Sequence, residues 1–309
     1  MSKLLVVFGA TGQQGGSIID YALNDGELSK QYHLRALTRD PSSSSSQTLK
    51  SKGVDVVKAD NDDDSSLKEA LKGAHTVFVT TNTIYDKSKQ IDEYNQGKRI
   101  ADISVAAGAS YLIWSTSTHV DQLSNGKFNQ VIHFNVKADV EDYIRTLPIK
   151  SAFYGPGAFM QNYNTMAGPK PLGDGTYGLF NVLKPDSTLP LIDITDTGKY
   201  VGAVLAEPDK FNGKTLSAAT RMYSQNEIVG IMSRVTGKTI KYVHIPVEKF
   251  AQFMPPNFRE PLVEMHQFCD EFGYYGEGTR EKVEETAKTA RGKLTELEEY
   301  LRREPLKLE

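Results

Sequence analysis

The sequence predicts an α/β protein: a doubly wound parallel sheet with a smaller α/β lobe toward its C-terminal end. Three observations carry this. Short apolar runs rich in β-forming residues alternate with helix-length segments as far as Phe153. The first run gives way to a cluster of glycines that opens a helix. After Phe153 the texture changes, with glycine and proline crowding the stretch from Gly155 to Pro190.

Leu4 to Phe8 is the first strand, stopped by Gly9, and a helix runs from about Gly12 to Leu23. The next strands are His33 to Thr38, Val54 to Lys58, Thr76 to Thr80 and Tyr111 to Ser115. Helices fill the gaps at Ser65 to Lys72, closed by Gly73, and at Lys87 to Ala107, closed by Gly108. Ile149 to Phe153 is the last strand of this half. The serine run Ser42 to Ser46 buries too little to order itself and reads as a flexible loop. In the second half Ser224 and Glu227 form a capping box for a helix ending at Gly237. Thr295 and Glu298 repeat the pattern near Pro305, with Glu298 and Glu299 spaced to pair Arg302 and Arg303. Domain limits follow: 1–153 for the sheet, to which the chain returns in part later, and 154–309 for the smaller lobe.

The 309 residues leave one large domain or two intimate ones open. Thirty-six basic against 39 acidic residues give a net charge of -3, which excludes a broad electrostatic footprint for nucleic acid. Cys269 is alone, so no internal disulfide is possible. Leu4 to Phe8 is too short for a signal-peptide core or a membrane span. A soluble intracellular protein is expected, without membrane contact.

The chemistry starts at Gly9-Ala-Thr-Gly12-Gln-Gln-Gly15-Gly16. Glycines let backbone approach a phosphate closely, and the helix start behind them offers amide donors and a favourable dipole. Placed after a first strand and heading βαβ units, the motif implies dinucleotide binding on a Rossmann-type sheet, against the plainer reading of a tight turn. At the end of the second strand stand Thr38-Arg39-Asp40-Pro41. A guanidinium there matches a 2′-phosphate, so NADP(H) is expected ahead of NAD(H), unless Arg39 is merely solvated or paired with Asp40.

With these residues on view, the chain resembles the NmrA-like family of atypical short-chain dehydrogenase/reductases. The resemblance rests on Gly9 to Gly16, Arg39, Ala59 to Asp62, Thr81-Asn82, Phe159 to Asn162, and Ser224 to Pro246. It implies a cofactor groove in which Gly9, Ala10, Thr11, Gly12, Gln13, Gln14 and Gly15 cradle the diphosphate. Arg39 with Ser42 or Ser43 would surround the 2′-phosphate, and Asp60 and Asn61 would meet the adenine. Thr81, Asn82 and Thr83 would line the wall after the fourth strand. Lys137 would reach the nicotinamide ribose, and Phe159, Met160, Gln161 and Asn162 would close over the nicotinamide. Some relatives carry lysine where this chain has Asn95, so that contact is in doubt here.

Most short-chain reductases use Tyr-x-x-x-Lys, the lysine tuning the tyrosine as a proton donor. Tyr85/Lys89 and Tyr94/Lys98 match the pattern but precede the fifth strand, and read as chance matches on a solvated helix. On the helix after the fifth strand the sequence has His133-Phe-Asn-Val-Lys137. His133 in the tyrosine's place, Lys137, and Ser115 and Ser117 at the strand end are the catalytic candidates, since histidine can donate a proton near neutral pH. The alternative is a packing His133 and a Lys137 that only binds ribose. His33, His75, His119, His244 and His266 lack metal-ligand spacing. Asp193 and Asp196 sit in a strand-to-helix turn, where Asp196 reads as an N-cap; Trp114 reads as core.

Two functions remain open at this level. One is an NADP(H)-dependent oxidoreductase acting on a small organic acceptor between the lobes. The other, implied by the resemblance, is a non-catalytic NADP(H) sensor regulating a protein partner such as a transcription factor. Either suits a cytoplasmic protein, the second also a nuclear one.

Overall fold

The computed structural model describes residues 2–165 and 167–308. β1 (Lys3–Val7), β2 (Tyr32–Thr38), β3 (Asp55–Lys58), β4 (Thr76–Val79), β5 (Tyr111–Ser115) and β6 (Lys150–Pro156) fall within a residue or two of the expected runs, except that β6 continues to Pro156. β4 and β5 are buried at every position, the pattern of central parallel strands.

After β6 the chain leaves through β7 (Ala158–Phe159), β8 (Lys170–Pro171), β9 (Tyr177–Asn181) and β10 (Thr188–Ile192), then returns. Helix Thr197–Ala206 lies along helix Gln13–Asn24, and β11 (Thr215–Ala218) adds a seventh strand beside β6. The sheet order is β11-β6-β5-β4-β1-β2-β3, with every neighbouring pair parallel. The order reverses between β1 and β4, and a crevice at the carboxyl ends follows there.

Ser17 joins the two helices. Its hydroxyl accepts from the Gly198 amide at 2.8 Å and donates to the Thr195 carbonyl at 2.7 Å. The second lobe holds two small sheets, one with β10 between β12 (Arg221–Ser224) and β7, the other with β9 between β13 (Ile240–His244) and β8. Helices Gln225–Thr236, Val247–Phe253, Pro256–Phe272 and Leu297–Arg303 belong to this lobe, the first and last packed on each other. Ser224 caps the first of them through the Glu227 amide, and Gly237 ends it at φ 67°, as the spacing predicts. Among the described residues no helix is long and apolar enough to cross a membrane.

Several local expectations give way to tertiary contacts. The serine run is helical, Ser44–Ser51: Ser43 accepts from the Ser46 amide, Ser46 is buried, and its hydroxyl donates to the Asp40 carbonyl at 2.7 Å. Hydroxyls that satisfy backbone groups, with Leu49 as apolar anchor, outweigh the run's low hydrophobicity. Thr295 caps nothing. Its amide and hydroxyl both donate to the buried Asp196 carboxylate, and Glu296 precedes the last helix. Asp196 in turn makes no side-chain cap; Asp193 accepts from the Thr195 amide instead. Glu298 pairs Arg302 as spaced, whereas Glu299 goes to Lys293 and Arg303 to the buried Asp193.

Candidate dinucleotide and acceptor site

The glycine turn lies at the carboxyl end of β1, on the crevice side. Gly9 has φ 61°, a left-handed conformation that disfavours any side chain, and its carbonyl accepts from the Gly12 amide at 2.9 Å. A Cβ on Gly15 would sit 2.4 Å from the Gly9 oxygen, so the helix can approach the turn only without one. Gly12 stands at the helix N-cap with no side-chain cap, and Thr11, Gly12 and Gln13 are exposed. The first-turn amides therefore face outward, an arrangement fit for a diphosphate. Gln14 is tied inward, its side-chain carbonyl accepting from Ser115 at 2.8 Å.

At the ends of β2 and β3 a shallow pocket of 330 Å³ gathers Arg39, Lys50 and Lys58 around Ser42. Asp40 does not neutralise Arg39. Its carboxylate accepts from the Ser42 hydroxyl at 2.5 Å and amide at 2.9 Å, which hold it below the usual carboxylate range. The pocket thus holds three cations against the one carboxylate of Asp40, a surplus of positive charge open to an outside anion. Ser43 spends its hydroxyl on the helix cap and the Asp40 carbonyl. Lys50 and Lys58 were not legible as site residues, because only folding brings a helix lysine and a strand-end lysine to Arg39.

Asp60 is exposed and half-buried Asn61 lies beside it; the Asn61 carbonyl accepts from Arg99 at 2.9 Å. Asn82 and Thr83 are exposed after β4, while Thr81 is buried. Thr81 donates to Glu93 at 2.7 Å, and Lys137 reaches both groups, at 2.5 Å to the carboxylate and 3.1 Å to the hydroxyl. Glu93 is 1% exposed and also accepts from the Ile84 amide at 3.0 Å. It sits on the inward stripe Glu93, Gly97, Ile100, Ala101 and Ser104 of helix Gln90–Ala106. A carboxylate on an apolar helix face was the signal available in the sequence. Asn95 is exposed on the same helix.

His133 lies on the first turn of helix Ile132–Arg145 and is 4% exposed. Burial above all, then the nearby Lys137 and His266, push its pKa down to about 3. Its Nδ1 has no hydrogen-bond partner among the described residues. The imidazole is thus neutral at pH 7 and is not the imidazolium acid that a histidine near its ordinary pKa would supply. Tyr85, read as part of a solvated helix, instead precedes it in a loop. Its ring lies 4.7 Å from His133 and 4.3 Å from Phe258. Tyr94 is half-buried against the sheet core and Lys98 is spent on Asp102 and Tyr143.

Of the expected nicotinamide wall, Phe159 and Asn162 line a cavity of 640 Å³ that reaches into the second lobe. Met160 is fully buried in that lobe's core. Gln161 fastens the turn after β10, donating to Asp193 at 2.8 Å and accepting from the Ile194 amide at 3.2 Å. Ser115 is 3% exposed and held by Gln14, whereas Ser117 is half-buried. Trp114 is core, its indole donating to the Lys137 carbonyl at 2.9 Å.

The profile of the NmrA-like family matches residues 1–301. The chain belongs to the NmrA-like family. An NmrA-like family domain-containing protein of Dictyostelium discoideum is 30% identical over 319 aligned positions, covering all of both chains. The NmrA-like oxidoreductase FrzB of a Cladobotryum species is 28% identical, over 78% of this chain and 76% of its own. Among solved structures, the negative transcriptional regulator NmrA, solved in complex with NADP and separately with NAD, superposes with a TM-score of 0.81. It is 23% identical and covers 98% of this NmrA-like chain and 95% of its own.

Proposed function

We propose that this NmrA-like protein binds NADP(H) and is an NADPH-dependent oxidoreductase for a small organic acceptor held between sheet and second lobe. The observation that carries the reading is the pairing, at the carboxyl ends of one sheet, of an uncapped glycine-rich helix start with a pocket of three cations and one carboxylate. Backbone amides suit a diphosphate, and Arg39, Lys50 and Lys58 suit a further phosphate on the ribose. NmrA, known both with NAD and with NADP, does not choose between them; the basic pocket favours the phosphorylated form.

Bound NADPH would supply the hydride. The chain's own part is to hold and exclude. Glu93 and Thr81 hold Lys137, whose ammonium has three donors, two of them already used. The third is left for a ribose hydroxyl. Phe159 and Asn162 border the cavity in which an acceptor would lie away from water. That curated relatives such as FrzB are named oxidoreductases supports the same reading.

The test of the cofactor is calorimetry with NADPH, NADP, NADH and NAD on wild type and Arg39→Ala. Loss of the phosphate contact should cost about 1.5–3 kcal/mol for the phosphorylated pair and little for the others. Equal losses for all four would refute the assignment. Turnover is tested by stopped-flow absorbance of bound NADPH against aldehydes, enones and quinones.

One observation favours the second reading, a non-catalytic sensor whose nucleotide occupancy selects a conformer that binds a protein partner. His133 is neutral and buried, so the residue at the catalytic tyrosine's position is no acid. Partner capture that is unchanged with NADPH, NADP or no nucleotide would remove this reading.

A further inference from the structure

The cavity beside Phe159 has a lining that names its ligand by chemistry. Its walls come from the loop after β4, the strands β7, β9 and β10, and helices Val247–Phe253 and Pro256–Phe272. Rings dominate: Tyr85, Phe159, Phe250, Phe258 and Tyr274 all face it. Among the lining side chains described, Lys170 alone carries charge at neutral pH. His266 is half-buried and desolvation lowers its pKa, and the lining tyrosines Tyr85, Tyr163 and Tyr274 are shifted up by burial. Lys170 is exposed to water, so a charged guest held among the rings would lose its hydration without gaining a buried counter-ion. The volume, 640 Å³, falls within the range of about 300–1,000 Å³ of small-molecule sites. Phe253 at the rim stays 64% exposed, an apolar edge that a guest would cover.

Among the polar side chains of the lining, which include Asn162, Asn181 and Gln225, Tyr85 is the one packed against His133. Its ring is gripped between His133 and Phe258, so its position is set by packing. Its hydroxyl has no hydrogen-bond partner among the described residues, the upward shift of its pKa coming from burial and then from Glu93. A hydroxyl without a protein partner, on a ring that lines the cavity, is a donor free for a guest's acceptor.

We infer that this cavity binds an uncharged, ring-bearing, largely apolar substrate that carries a carbonyl, and that Tyr85 donates the hydrogen bond that orients it. The inference rests on the oxidoreductase reading, because the cavity borders the expected nicotinamide wall, and it adds the substrate class and the residue that selects it.

The test uses the full chain without nucleotide and Nile red, a neutral ring dye, as fluorescent reporter of the cavity. Chalcone, a neutral diaryl enone, is titrated against it beside diphenylpropene, which lacks the carbonyl, and carboxychalcone, which adds a charge. Chalcone should displace the dye best. Tyr85→Phe should weaken chalcone about fivefold, one neutral hydrogen bond, and leave diphenylpropene unchanged. Failure of Nile red to bind, displacement by carboxychalcone equal to that by chalcone, or a ketone preference that survives Tyr85→Phe would each overturn the inference. NADPH titration of the same samples keeps the two readings apart. Chalcone binding with no nucleotide binding refutes the cofactor, whereas nucleotide binding without ketone preference refutes only the cavity assignment.

Discussion

The Lys137 ammonium and the Glu93 carboxylate form an ion pair at 2.5 Å, with side-chain exposures of 11% and 1%. They come from two helices packed side by side, Gln90–Ala106 and Ile132–Arg145. A pair this dry contributes little over an apolar pair of the same shape, yet removing one member leaves a charge with neither water nor partner. Its use is therefore positional: it keeps Lys137 at one place near the carboxyl ends of β4 and β5.

Glu93→Ala should lower the unfolding free energy by about 3–5 kcal/mol, the usual penalty for orphaning a buried charge. Adding Lys137→Met to it should recover much of the loss. Urea denaturation of the two single variants and the double one gives the coupling; strict additivity would mean that the pair is absent in solution.

Gly15→Ala and Gly16→Ala separate steric demand from mere glycine richness. At Gly15 the new methyl would meet backbone at 2.4 Å, whereas at Gly16 the nearest atom is 3.6 Å away. Gly15→Ala should abolish measurable nucleotide binding and cost stability. Gly16→Ala should leave both close to wild type in calorimetry and thermal unfolding.

Lys50→Ala and Lys58→Ala should each weaken NADPH by about two- to fivefold, as befits exposed charge contacts, and leave NADH unchanged. The difference should shrink as salt is raised, since solvent ions screen exposed pairs. A salt-independent loss, or one shared by NADH, would remove these lysines from the phosphate pocket.

Acid should destabilise the fold partly through His133. Its pKa is about 3 when folded against an ordinary 6.5. Between those values the unfolded chain binds a proton that the folded chain refuses, so stability is present above pH 6.5 and is lost as pH falls. The slope per histidine is about 1.4 kcal/mol per pH unit. His133→Phe, which keeps a ring between Tyr85 and Phe134, should flatten the stability curve between pH 6.5 and 5 by that amount. Identical slopes in the two proteins would show that His133 titrates normally.

Ser43→Ala should cost about 1 kcal/mol by removing the cap of helix Ser44–Ser51. A change within error in chemical denaturation would put the serine run back among the loops.

What the sequence determined by itself was whatever depends on neighbours along the chain. Strand runs, the glycine spacing, the Ser224 cap and the Gly237 stop were all readable, because hydrophobic period and backbone freedom act over a few residues. From these followed the Rossmann-type sheet and the place of its turn. Tertiary structure decided the partners. Thr295 and Glu298 carry a good capping pattern, yet Thr295 is drawn to Asp196 because a buried carboxylate far away in the chain needs donors more than a helix end does. Tyr85 matches a motif at a place in the chain that argues against it, while packing sets it against His133 and on the cavity. Glu93 with Lys137, and Arg39 with Lys50 and Lys58, are likewise joined only by the fold. Desolvation and charge pairing depend on what lies near in space, and that is fixed only when the strands and helices have met.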